Sequence, residues 1–224
     1  MAMYVPQPYR EPEGSWMSEL VRGNPLALMV SNGAEGSAPF ATHLPVIPSP
    51  QTGGNWPHGL AGVTLIGHMN RSNPHWSALT DTQTVLLTFT GPHGYVSPTV
   101  YGFTPAAPTW DFTSVHVRGT VEKIESEDET LEVVSATVRA FERDFGADWD
   151  MTESVCYFQK ILPGVGAFRF HVTGADGMFK LSQEQSPETR DRVRESFGAS
   201  PCTRHQATAD LMERLRLEHH HHHH

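Results

Sequence analysis

The sequence predicts an α+β domain built on an antiparallel sheet or barrel, with flanking helices and a helical tail. Three observations carry this. Short β-patterned segments come first, helices follow, and a strand returns before the tail. Seventeen prolines and nineteen glycines among 224 residues mark many turns. No internal repeat or low-complexity linker divides the chain, so one domain spans 1–216, with its helical tail at about 186–216.

The elements follow from local pattern. "EGSWMSELVRGNP" is a short helix with Trp16, Met17, Leu20 and Val21 on one side and Ser15 as cap. "LALMVSN" is a buried strand, and "NGAEGS" is a turn. "FATHLPVIP" alternates, with Leu44 and Val46 on one face and His43 on the other. "GVTLIGH" is a third strand. Asn73-Pro74 starts a small helix, with His75 exposed on it. "TVLLTFTG" is a continuous apolar strand. "FTSVHVRGTVEKI" places Val115, Val117 and Val121 together, with His116 and Arg118 opposite. Ser126 and Glu129 form a capping box ahead of Leu131, Val134, Val138, Phe141 and Phe145. A helix "TESVCYFQKIL" follows, with Cys156 in the core. "GVGAFRFHVTG" returns as a strand, "GMFKLSQ" is a brief extended piece, and helices start at Ser186-Pro187 and Thr203.

Charge and composition exclude several functions. Sixteen basic residues face twenty-five acidic ones, which argues against direct nucleic-acid binding. No apolar run is long enough for a membrane span, and no secretory start is visible, so a cytoplasmic protein without membrane partners is expected. Two cysteines make neither a disulfide framework nor a metal knuckle. Residues 217–224 read as an expression tag. No Gly-rich phosphate loop or nucleophile elbow is present, and Asp148 and Asp150 read as a solvated loop.

Gly91 to Trp110 is about twenty residues with four prolines and little apolar periodicity. Loops of that length are usually functional or disordered. Tyr95, Tyr101, Phe103 and Trp110 argue for order. Their rings suit a flat ligand, or they pin the loop to the barrel.

The segments "ATHLPV", "GHMNRSNPHW", "GPHGYVSPTVY", "PTWDFTSVHVRG" and "KLSQ" resemble, in this order, the PaiB-like family, often described as FMN-binding negative transcriptional regulators. The resemblance runs from Tyr4 to about Leu215. It implies a flavin-reductase-like split β-barrel, and a homodimer with ligand pockets near the subunit interface. A sharper branch is similar too, the haem-dependent piperazate synthases, which close N5-hydroxy-L-ornithine into a ring with an N–N bond. "SPTVY" lacks the tryptophan that usually precedes the tyrosine of the regulators. "KLSQEQ" stands where "KLSQNR" is more common and lacks a cation that meets a phosphate.

A histidine ending an apolar strand is ordinarily a hydrogen-bonded junction residue. The resemblance makes His68 the axial ligand of haem b, with the porphyrin against Leu65 and Ile66. Arg71, Asn73, Trp110, His116 and Lys180 are the other cofactor-binding candidates. Arg71 suits a propionate or a phosphate. His93, between Pro92 and Gly94, shapes a turn. His58, His171, His205 and Cys202 receive no role. In the haem reading the α-amine attacks N5 and water leaves, with Tyr95, Ser97, Thr99 and Tyr101 as candidate proton donors. In the alternative, FMN lies on the aromatic loop with Arg71 and Lys180 near its phosphate, in a regulator or sensor without catalysis.

Overall fold

The computed structural model describes residues 2–52 and 59–222, so His58 lies outside the described residues. Its strands are β1 (Leu26–Ser31), β2 (Phe40–Pro48), β3 (Thr64–Asn70), β4 (Val85–Val96), β5 (Thr109–Lys123) and β6 (Val165–Lys180). They close into an antiparallel barrel in the order β1-β2-β3-β6-β5-β4. The helices are α1 (Trp16–Gly23), α2 (Pro74–Ala78), α3 (Glu127–Asp144), α4 (Val155–Ile161), α5 (Pro187–Gly198) and α6 (Thr203–His221). Among the described residues no helix is long and apolar enough to cross a membrane.

Alternation fills the barrel. Met29, Leu65, Leu87, Phe89, Val115, Val117, Phe168 and Phe170 are fully buried in one cluster. Burying a Phe or Leu side chain contributes about 1.5–3 kcal/mol, so this interior dominates stability. Trp16 of α1 closes one edge, edge-on to Phe179 at 5.4 Å. Ser15 makes no capping bond. The Glu11 carboxylate accepts from the Met17 amide instead, at 3.0 Å.

A second cluster lies outside the barrel wall. Ile47, Ile66, Ile124 and Ala167 meet Val133 and Ala140 of α3. The capping box holds, with Ser126 Oγ accepting from the Glu129 amide at 3.3 Å. The buried face of α3 is rotated from the expected one. Thr130, Val133, Val134, Thr137 and Ala140 are buried, whereas Phe145 is exposed. The threonines tolerate burial because Thr130 and Thr137 each donate to the carbonyl four residues earlier, at 2.8 Å.

Three further expectations are corrected. β4 continues to Val96 through a register shift between Thr90 and His93, so the irregular loop shrinks to residues 97–108 and His93 pairs with Phe112 inside the sheet. "GMFK" is the last four residues of β6. Cys156 is exposed, because α4 buries none of its residues.

Gly119 marks the bend where β5 crosses β6. A Cβ there would lie 2.3 Å from the His171 carbonyl oxygen, a backbone atom with no freedom to yield. Gly119→Ala is expected to cost about 3 kcal/mol, read as a lower urea midpoint. An unchanged midpoint would show that the strand crossing relaxes.

Candidate functional site

Alternation along β3 decides where His68 points. Leu65, Gly67 and Met69 face the barrel interior, so Ile66 and His68 face outward. Leu65 is therefore unavailable to a ligand beside His68, and Ile66, though on the same face, is buried against α3. His68 pairs with Ala167 across the strand boundary. Its ring lines a cavity of about 370 Å³ with Met69, Asn70, Ile161, Gly164 and Val165. Nδ1 is buried without a hydrogen-bond partner. Burial holds the ring's pKa below the usual histidine value, so it is neutral at pH 7 with a lone pair to donate. Among the described residues no three His, Cys, Asp or Glu side chains converge on a metal position. A metal at His68 would thus arrive with its own equatorial ligands.

The following turn is anchored to the same cavity. The Arg71 amide donates to the Gly164 carbonyl and Arg71 Nε to that of Val165, at 2.9 and 2.8 Å. The guanidinium stands 5.6 Å from the centre of the Trp76 ring. Asn73 is a helix cap: its Oδ1 accepts from the His75 amide and its Nδ2 donates to Thr42 Oγ1. Its amide is thus already engaged on both sides. His75 is buried, not exposed. Ser31 Oγ and Thr42 Oγ1 bond its two ring nitrogens at 2.7 and 2.8 Å, and Phe40 stacks on it. Those partners come from β1 and β2, which no local pattern around residue 75 discloses.

The remaining candidates gather at the other end of β5. Tyr95 and Trp110 are half-exposed neighbours, ring centres 5.8 Å apart. Trp110 Nε1 donates to His93 Nδ1 at 2.9 Å, and Arg204 of α6 donates to the His93 carbonyl. Ser97 and Thr99 bond each other at 2.9 Å. Tyr101 is buried in the main core with its hydroxyl unpartnered, and Arg192 of α5 holds its carbonyl. That burial takes the Tyr101 hydroxyl off the exposed surface where a proton donor was expected. Lys180 Nζ donates to Thr109 Oγ1 at 2.6 Å.

Beside them Asp111 is fully buried. Ser182 Oγ donates to Oδ2 at 2.7 Å, while Oδ1 has no partner. Ser182 holds a left-handed backbone (φ 67°) to reach it. Burial, opposed by the Ser182 hydrogen bond and reinforced by Glu184, pushes the carboxyl up to about 7.

His116 lies between the two groups on the outer face of β5, opposite Asp176, which Arg118 pairs at 2.5 Å. Burial is the main cause that lowers its pKa. His68, Ala167 and Ile124 form one row across β3, β6 and β5. From Ile124 back to Trp110 is on the order of 40 Å along the strand. The loop that follows β4 is docked on α5, through the Tyr101 carbonyl. Sequence reasoning missed Lys123, whose Nζ lies 4.9 Å from the centre of the Trp76 ring. Its signal was a lysine at the end of β5, unreadable before β5 and α2 were known to meet.

Fold and site together define a split-barrel protein with an unengaged imidazole on the outer wall. The same architecture occurs in an FAD- and haem-binding protein from Mycobacterium smegmatis (TM-score 0.52, 16% identity, covering 78% of this chain and 75% of that one). The flavocytochrome Anf3 from Azotobacter vinelandii shares it as well (TM-score 0.51, 14% identity, 79% and 72% covered). The chain belongs to the family described as "Putative FMN-binding domain", whose model matches residues 3–174. It is 28% identical over 213 residues to the protease synthase and sporulation protein PAI 2 of Bacillus subtilis, covering 94% of this chain and 97% of that protein.

Proposed function

We propose that the chain is a haem-dependent piperazate synthase in which His68 would hold the haem iron. The observation that carries the reading is the neutral, unengaged His68 ring at the wall of a cavity. The residues that would hold the group are the His68 imidazole, the apolar Ile161 and Val165 beside it, and the Arg71 cation tied to Val165. Bound there, haem supplies a Lewis-acidic iron that weakens an N–O bond.

The chain's own task is to fold N5-hydroxy-L-ornithine so that its two nitrogens meet. The α-amine attacks N5, the N–N bond forms and the N5–O bond breaks. The oxygen leaves as water, taking one proton from a donor that is recharged by the proton the amine loses. The reaction is redox-neutral. Tyr95, Ser97 and Thr99 are the exposed hydroxyls proposed for the donor.

Those hydroxyls lie too far along β5 to serve their own chain's His68. A two-fold axis near His116 on the outer face of β5 would bring the partner subunit's copy of the Tyr95–Trp110 end beside His68. This supports a homodimer with shared sites. Phe112, Ser114, His116 and Arg118 on that face are only half-buried, and Tyr95 and Trp110 at its far end expose large rings. The second reading is an FMN-binding sensor, favoured by the family match and by that aromatic pair.

The haem-loaded protein is expected to consume N5-hydroxy-L-ornithine and to release a cyclic hydrazine lighter by one water, seen by mass spectrometry. Mixing His68→Ala chains with Tyr95→Phe/Trp110→Ala chains, each inactive alone, is expected to restore about a quarter of wild-type sites after exchange. No turnover with haem bound would remove the synthase reading. Two broad flavin bands in place of a Soret band would favour the sensor.

A further inference from the structure

α3 also lines a cavity of about 460 Å³, which Pro50, Gln51, Met151, Val155 and the barrel-wall residues Ile66 and Arg169 help to bound. Glu132, Ser135 and Arg139 of α3 all line it. They are spaced by three and four residues, so they stand in one row along the helix. This cavity is separate from the one at His68. Ile66 lines the first and His68 the second, consecutive outward residues of β3 about 7 Å apart, and no residue lines both.

The row is chemically unsatisfied. Ser135 is only 7% exposed, yet among the described residues its hydroxyl has no hydrogen-bond partner. A hydroxyl so placed is costly unless an occupant of the cavity bonds it. Glu132 and Arg139 are exposed, and among the described residues neither lies within ion-pair distance of an opposite charge. The other charges lining the cavity are spent on the fold. Arg169 pairs with Glu129 at 3.3 Å and with Glu122 at 3.6 Å. Ile66, Val133, Ala136 and Val155 make the surface beside the row apolar.

These features select a ligand. An anion alone would satisfy Arg139 and meet Glu132 as a like charge, and a cation alone would do the reverse. One molecule carrying both charges suits both residues. Seven residues separate Glu132 from Arg139, on the order of 10 Å along the helix. The ligand's two charges must therefore stand several bonds apart, not on one carbon.

We infer that this cavity binds a linear ω-amino acid, with its carboxylate on Arg139, its ammonium on Glu132 and its methylene chain on the apolar surface. Ser135 donates its hydroxyl to the carboxylate, one helical turn from Arg139. The site stands apart from the cofactor reading above, because no residue of the His68 cavity takes part in it.

The test is calorimetric titration of the full-length protein with 5-aminopentanoate, its isomer L-norvaline, pentanoate and pentylamine. Wild type is expected to bind 5-aminopentanoate about tenfold or more tighter than each of the other three. Arg139→Gln is expected to weaken 5-aminopentanoate to the level of pentylamine, and Glu132→Gln to the level of pentanoate. Both side chains are exposed, so neither change threatens the fold. His68→Ala should bind the probe as wild type does. Norvaline bound as tightly as 5-aminopentanoate overturns the requirement for separated charges. No binding by wild type, or an unchanged preference in either charge variant, overturns the site. Lost binding in His68→Ala moves the ligand to the other cavity and overturns it too, whichever cofactor that cavity takes.

Discussion

His68→Ala is expected to remove the Soret signature of a histidine-ligated haem and to reduce turnover to the uncatalysed background. The ring lies on the outer face of β3, so its loss opens no void in the barrel interior, where Leu65 and Met69 carry the packing. Thermal stability should therefore change by less than about 1 kcal/mol, while haem affinity falls by more than roughly 100-fold. The vacated space adjoins a cavity of about 370 Å³, ample for a free imidazole. Added imidazole should then restore part of the absorption band. A Soret band unaltered by the substitution would place the iron elsewhere and end the proposed chemistry.

Asp111→Asn is expected to raise the melting temperature at pH 8 and to flatten its pH dependence. The carboxyl stands at about 7 in the folded chain, against an ordinary value of 3.8. The folded state thus holds this proton more tightly than the unfolded state does. The contribution to stability is fully present below about pH 4, declines as pH rises towards 7, and is flat beyond. The decline is about 4 kcal/mol, the size of a three-unit shift. Asparagine keeps an acceptor for Ser182 Oγ and carries no charge, so the variant loses the slope. Its cost is a buried amide group opposite no partner, about 1–3 kcal/mol and smaller than the relief at pH 8. Melting curves from pH 4.5 to 8.5 decide the matter. A variant with the wild-type slope would show that another group carries the titration.

Local chemistry was readable in the sequence where a few adjacent residues settle it. Asn73, Ser126 and Ser186 each accept the predicted capping bond because the motif contains both donor and acceptor. The shared face of Val115, Val117 and Val121 was likewise readable, and all three are buried. Errors arose where a distant partner decides. Gly91-Pro92 reads as a break, yet the chain uses both residues to bulge inside β4. Pro92 has no amide to lose from the ladder, and its carbonyl accepts from Thr113 Oγ1 at 2.9 Å. A Cβ on Gly91 would meet that same Thr113 Oγ1 at 2.4 Å.

The candidate site shows the same division. His68 was readable as a strand-end imidazole beside a polar turn. Its separation from Tyr95 and Trp110 was not, because the length of β5 and the pairing of β6 with both β3 and β5 had to be known first. Tyr101 stood in a motif with Tyr95 but turns into the core, while Tyr95 remains at the surface.

β3 also carries two obligations on alternate residues. Its inward Leu65 and Met69 fill the barrel and its outward Ile66 seats α3, which leaves His68 as the position on this strand whose replacement disturbs neither packing surface. Under the proposed function, a change of the ligand donor there would alter prosthetic-group preference at little cost to the scaffold.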